Sequence, residues 1–200
     1  MTGPEEMWDR RFAEHPWPSE PDPLLVELAG DLPAGRGLDL GSGPGRNSLW
    51  LAARGWDMTL LDASGVALAQ AQARAEQAGV HIEAVHGDVL AWRPKGPSYD
   101  LAIVANLHPG PEALAQVLAS AADALVDGGH LFVVGHDITN LGRHGPPDPD
   151  RLLSVERLSE ALPPTVCVEV LDRRSREADH PTSPDDEAPD LAVFAWATRR

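Results

Sequence analysis

Residues 38–45 read Leu-Asp-Leu-Gly-Ser-Gly-Pro-Gly, a short apolar run that breaks into alternating glycines. Nothing else in the chain narrows the choice of fold so far. Glycine at Gly41, Gly43 and Gly45 lets the backbone pass tightly from a strand into a helix. It also leaves room for a ligand to touch main-chain atoms. Residues 46–54 have a helical pattern, with Gly55 as a natural C-cap. A strand, a glycine turn and a helix in that order belong in an open parallel sheet, where ligands bind at the carboxyl ends of strands.

The rest of the chain repeats the theme. After the first strand at 38–40, strands are predicted at 58–61, 81–86, 99–105, 130–135, 166–171 and 191–198. Ser64 caps a helix over 66–78 that Gly79 ends, and Pro111 starts one running to 126. Ser154 caps another to 162. Apolar runs without alternation, such as residues 101–105, mark strands buried on both faces. Strands alternating with helices argue for right-handed βαβ units in an α/β sandwich of three layers. The last two strands have no helix between them, so they pair antiparallel. Their charged connector, 172–189, carries Pro181 and Pro184 and reads as a mobile loop. Residues 1–35 are Pro-rich, with short helices at 5–14 and 24–32. They form a lid-like segment ahead of a single domain over 36–200.

Composition excludes several functions. The chain has 200 residues and a formal net charge of −15. Such a balance repels phosphate backbones, so no nucleic-acid partner is expected. No window approaches the roughly 20 apolar residues of a spanning helix, so no membrane partner is expected either. The N-terminus lacks the basic and apolar regions of a signal peptide, and the one cysteine, Cys167, makes no internal disulfide. These features point to a cytoplasmic monomer or homodimer.

The glycine spacing is selective. A dinucleotide fingerprint counted from Gly41 needs a further glycine where Arg46 stands. A nucleophile elbow around Ser42 needs glycine where Leu40 stands. A phosphate-binding P-loop needs a lysine that is not there. The next carboxylate, Asp62, ends the second strand and suits a pair of ribose hydroxyls. Asp88, just after the third strand, suits the exocyclic amine of a purine. Each alone is equally well a cap or turn residue; together with the glycine turn they mark one sheet edge.

Residues 38–52, Leu-Asp-Leu-Gly-Ser-Gly-Pro-Gly-Arg-Asn-Ser-Leu-Trp-Leu-Ala, resemble the cofactor site of class I S-adenosylmethionine-dependent methyltransferases. The stretch from Gly45 to Leu49 is similar to the tellurite-resistance methyltransferases, as is the opening Trp8-Asp-Arg-Arg-Phe12 with Trp17. The resemblance implies a Rossmann-like, seven-stranded, mostly parallel sheet with an antiparallel last strand. It implies that Gly41, Gly43 and Gly45 line the methionine part of S-adenosylmethionine. Asp62 would then hold the ribose, and Asp88 with Val89 would read the adenine. Asp39, Ser42, Arg46, Asn47 and Ala63 would complete the cofactor site, with Asn106 near the donor methyl.

Methyl transfer is an in-line displacement in which the protein mainly aligns the nucleophile. A thiol or selenol acceptor needs little more, whereas oxygen or nitrogen calls for a base. His108 and His136 are the candidate catalytic residues with Asn106. Surface placement is the competing reading for each histidine. His15 and Trp17 are candidates for the wall of a small-molecule acceptor site. No tight ligand spacing supports a metal at His108, His136 and Asp137. The aromatics Trp8, Phe12 and Trp17 either patch the outer helices or fold over the cofactor. A cofactor-binding regulator without turnover, or an NAD-linked oxidoreductase, are the rival functions.

Overall fold

In the computed structural model, which describes residues 4–176 and 190–200, two short helices precede the sheet: α1 (Pro4–Glu14) and α2 (Pro23–Ala29). Asp22 caps α2, its side chain accepting from the Leu24 amide. Then come β1 (Arg36–Leu40), α3 (Arg46–Ala52), β2 (Asp57–Asp62), α4 (Gly65–Ala78), β3 (Ile82–His86) and β4 (Tyr99–Ala105). They are followed by α5 (Pro111–Ala124), β5 (Leu125–His136), α6 (Val155–Ala161), β6 (Val166–Arg176) and β7 (Asp190–Arg199). The strands form one seven-stranded sheet in the order β3-β2-β1-β4-β5-β7-β6. The first five are parallel, and β7 runs antiparallel to both of its neighbours.

The unalternating runs are explained by burial on both faces. Leu38, Leu40, Ala102, Val104, Leu131 and Val133 pack toward α5 and α6 through Leu118 and Leu158. The alternate residues Leu60, Leu101, Ile103, Phe132, Val134 and Phe194 pack on the other face with Leu25, Leu51, Leu68 and Ala71. Ser64 caps α4 by accepting from the Ala67 amide, and Gly79 ends it in the left-handed region. Among the described residues no helix is long and apolar enough to cross a membrane.

Three local expectations change. Helix α3 stops at Ala52 with Ala53 as its C-cap, and Gly55 serves the following turn at φ 91°. Strand β5 begins at Leu125 and includes the Asp127-Gly-Gly129 stretch, with a register shift against β4. Residues 172–176, expected in a loop, continue β6 and pair with β7 from Asp172↔Phe194 to Arg176↔Asp190. The charge that suggested a loop is tolerated because β6 is the sheet edge, where polar side chains face water. Residues 177–189, the remainder of the expected loop, lie outside the described residues.

Strand order reverses between β1 and β4, so the crevice for a ligand opens at their carboxyl ends. Phe132 lies fully buried in the central strands beneath it. Phe132→Ala should destabilise the chain by about 3–5 kcal/mol, read as a lowered urea midpoint with the same slope. A loss below about 1 kcal/mol would mean the core had re-formed around the gap.

Candidate active site

The glycine turn leaves β1 and is tied to β2 by its own backbone. The Gly41 and Ser42 amides both donate to the Leu61 carbonyl, at 2.8 and 3.3 Å. Gly41 and Gly43 have φ of 73° and 53°, conformations that a side chain resists. Space is closed to side chains as well. A Cβ on Gly41 would lie 2.9 Å from Leu107, and one on Gly43 would lie 3.2 Å from the Phe12 ring. A Cβ on Gly45 would meet Leu60 and Ala71 at 2.9 and 3.1 Å, so this glycine serves the packing of α3 against β2 and α4.

Asp62 clamps the turn. One carboxylate oxygen accepts the Gly43 amide at 2.7 Å and the other accepts the Ser64 amide at 2.8 Å. Burial outweighs these bonds and raises the Asp62 carboxyl above its ordinary range. Asp39, at the end of β1, is buried and accepts the Ser48 hydroxyl at 2.7 Å. Desolvation pushes its carboxyl up to about 7, opposed by the Ser48 bond and reinforced by nearby Asp62.

The N-terminal segment reaches this same place. The Asp9 carboxylate accepts the Ser64 hydroxyl at 2.6 Å and the Val66 amide at 3.2 Å, which lowers its pKa. Gln70 of α4 donates to the Phe12 carbonyl at 2.9 Å. Phe12 is buried, with Trp8 and Trp17 at ring-centroid distances of 5.7 and 4.7 Å. Further along, the Asp22 amide donates to Asn47 Oδ1 at 2.9 Å, and Arg46 lies 3.8 Å from the buried Asp22 carboxylate. Arg46 and Asn47 therefore anchor the segment to the start of α3. His15 is exposed, while Trp17 is half-buried in the aromatic cluster.

Beyond β2 and β3, the Ala63 carbonyl lies 2.9 Å from His86 Nε2. Asp88 is exposed and accepts the Leu90 amide, and Val89 packs against the core. At the end of β4, Asn106 takes φ 54° and its amide donates to the Val134 carbonyl at 2.8 Å. His108 Nδ1 meets the Arg151 carbonyl at 2.8 Å, and its ring stacks on His136 at 5.5 Å between centroids. His136 ends β5, with Nδ1 3.3 Å from Asp190 Oδ1. A cleft beside His108 is walled by Leu107, Pro111, Leu114, Leu152 and Leu153. Among the described residues, no three His, Cys, Asp or Glu side chains converge as a metal site requires.

His108 and His136 stand at the neighbouring ends of β4 and β5, as their positions in the sequence imply, whereas Asp190 and Asn140 carry no such signal. Both are buried, and Asn140 Nδ2 donates to the same Asp190 Oδ1 at 2.7 Å. They lie 50 residues apart in the chain. Only the antiparallel register of β5 and β7, His136↔Ala192, brings them together, and no local pattern announces it.

Comparison with known proteins agrees with this geometry. The family described as a methyltransferase domain matches residues 38–129. Over 128 residues the chain is 29% identical to a protein-L-isoaspartate O-methyltransferase of Pelodictyon phaeoclathratiforme (strain DSM 5477 / BU-1). That match spans 57% of each protein, so the chain matches little more than half of this curated relative's length. Among solved structures, TehB from Haemophilus influenzae superposes with a TM-score of 0.70 at 17% identity, covering 98% of this chain and 67% of TehB. An S-adenosylmethionine-dependent methyltransferase from Methanosarcina mazei gives 0.70 at 15%, covering 90% and 98%. A structure solved in work on the conversion of a disulfide bond into a thioacetal group during echinomycin biosynthesis gives 0.76 at 20%, covering 98% and 91%. The chain has the class I methyltransferase fold.

Asp39 yields a pH prediction. The folded chain keeps its proton up to about pH 7, whereas the unfolded chain releases it near 3.8. Its contribution to stability therefore falls as pH rises through that window, by at most about 1.4 kcal/mol per pH unit. Asp39→Asn should flatten this part of the profile of Tm against pH. An unchanged slope in the variant would show that Asp39 is ionised throughout.

Proposed function

On the premise that residues 38–129 are a methyltransferase domain within a class I methyltransferase fold, we propose that the chain transfers a methyl group from S-adenosylmethionine to a small-molecule acceptor. The observation that carries this reading is the three-glycine turn at the β1/β4 switch point, held open by Asp62.

The residues present fit the cofactor. Gly41 and Gly43 take left-handed φ and carry no side chain over the turn, so its main-chain atoms stay within reach of a ligand. Each Asp62 oxygen has a lone pair beyond the one its amide bond uses, so the carboxylate still accepts ribose hydroxyls. Gly41, Ser42 and Gly43, with Asp39 beneath them, would hold the methionine end. Asp62 and Ala63 would hold the ribose, and Asp88 and Val89 the adenine. The bound sulfonium supplies an activated methyl group, and the protein's part is to align the acceptor and exclude water.

Asn106 at the end of β4 and the His108 cleft beside it would line the acceptor side. The packing of Phe12 against Gly43, and of Asp9 on Ser64, supports the lid reading over a patch on outer helices. Arg46 and Asn47, expected to touch the cofactor, would act by anchoring that lid through Asp22. The NAD-linked alternative is disfavoured by the strand order, because the dinucleotide fold ends 4-5-6 whereas here β7 is inserted antiparallel between β5 and β6. A regulator without turnover would use the same cofactor site, so formation of S-adenosylhomocysteine over an acceptor panel separates the two.

Asp62→Asn keeps an acceptor atom for one of the two amides, which Asp62→Ala would leave unsatisfied. The Asn variant should weaken S-adenosylmethionine binding by about 1.5–3 kcal/mol in calorimetry while the circular dichroism stays native. Equal affinity in the folded variant would remove Asp62 from the ribose site. Deleting residues 1–20 should leave the sheet folded but abolish turnover, and the cofactor should protect this segment from protease in the full chain. Full activity of the truncated chain would reject the lid.

A further inference from the structure

Resting on the methyl-transfer reading, we propose that Asp9 is a positioning residue for the cofactor carboxylate Asp62, acting through Ser64, and that α1 is a detachable strap whose seating sets how long the cofactor stays bound. Glu5, Asp9 and Phe12 stand at i, i+4 and i+7, so they share one face of α1. Each meets a different turn at the sheet edge. Glu5 Oε1 lies 3.5 Å from His86 Nε2 at the end of β3. The Asp9 carboxylate accepts the Ser64 hydroxyl at 2.6 Å and the Val66 amide at 3.2 Å, where β2 turns into α4. Phe12 packs on Gly43, in the turn that leaves β1. These strands are neighbours in the order β3-β2-β1, so one helix face crosses the three turns in sequence. In the methyl-transfer reading the same turns take adenine, ribose and methionine.

The seat of α1 is made of few interactions. From Glu5 to Glu14 only Phe12 is buried, with Trp8 and Asp9 half-buried. At the far end of the helix, Gln70 donates to the Phe12 carbonyl at 2.9 Å. The Glu5–His86 pair is exposed and adds little. A helix of 11 residues is marginal in water without its docking contacts. Lifting α1 therefore costs far less than unfolding the sheet, which is packed on both faces.

Asp9 reaches the cofactor carboxylate at one remove. Ser64 is fully buried; its hydroxyl donates to Asp9 and accepts the Ala67 amide, while its own amide donates to Asp62 Oδ1 at 2.8 Å. Asp62 Oδ2 accepts the Gly43 amide at 2.7 Å. With α1 seated, Asp9 holds Ser64, Phe12 covers Gly43, and the two donors that orient Asp62 are both fixed. With α1 lifted, Ser64 loses Asp9 and Gly43 loses Phe12, so both donors loosen together. Such coupling is reciprocal: the factor by which a seated α1 tightens the cofactor is the factor by which the cofactor tightens α1. A cofactor lying along three turns under one helix would leave only after that helix lifts.

Exchange of methyl-labelled S-adenosylmethionine against an unlabelled chase, on the full chain, reads the residence time. Asp9→Ala should speed release about tenfold, the effect of losing one hydrogen bond to a charged acceptor. Asp9→Asn keeps an oxygen for the Ser64 hydroxyl and should stay within about threefold of wild type. Gln70→Ala loosens the far end of α1 without touching Ser64. It should speed release too, and its effect should add in full to that of Asp62→Asn, whereas the effect of Asp9→Ala should fall well short of additive. A second arm needs no cofactor. Asp9→Ala should speed amide hydrogen exchange at Gly43 and Ser64 and leave Leu101 and Phe132 protected as in wild type. Unchanged release in Asp9→Ala or Gln70→Ala, full additivity of Asp9→Ala with Asp62→Asn, or unchanged exchange at Gly43 and Ser64 would each overturn the proposal. Failure of S-adenosylmethionine to bind the wild-type chain in calorimetry would instead bring down the methyl-transfer reading and the residence time with it, and exchange at Gly43 and Ser64 would then decide the Asp9 relay by itself.

Discussion

Asp62 accepts the Gly43 amide on one oxygen and the Ser64 amide on the other, and the geometry of the site follows from that pair of bonds. The first fixes the middle of the glycine turn; the second fixes the entry to α4. Ser64 then caps α4 and donates to Asp9, so the same carboxylate indirectly seats the N-terminal helix. Burying a carboxylate is costly, and this one is kept in place by charge-assisted bonds to backbone that has no other partner there. Asp39 lies close enough for the two carboxyls to repel, which adds to the desolvation that raises its pKa.

The sheet was legible because its signals are local. Unbroken apolar runs, helix caps at Ser64 and Ser154, and the glycine turn each report their own few residues, and each matches the structure. Failures came where a decision is made by distant partners. Residues 172–176 carry charge typical of a loop yet extend β6, because β7 offers a continuous antiparallel register. Gly55 looked like the end of α3, but the helix stops at Ala52 and hands the glycine to the turn beyond.

The site divides along the same line. The placement of Gly41, Gly43, Asp62 and Asp88 along one sheet edge was legible because a parallel sheet puts successive strand ends there. The partners of Arg46 and Asn47 were not, because Asp22 comes back from a segment that precedes the sheet. Nor were Asp190 and Asn140, whose meeting depends on β7 crossing beside β5. Polar side chains brought together by register leave no spacing in the sequence to find.

The central claim is that the Asp62-clamped turn is a cofactor site matched to S-adenosylmethionine. Backbone amide NMR with this cofactor, and separately with NAD, tests it most directly. S-adenosylmethionine should shift the amides of Gly41, Ser42, Gly43, Gly45, Ala63, Ser64 and Val89, together with those around Phe12, while NAD leaves them in place. Shifts with NAD alone, or S-adenosylmethionine shifts confined to residues away from the glycine turn, would contradict it.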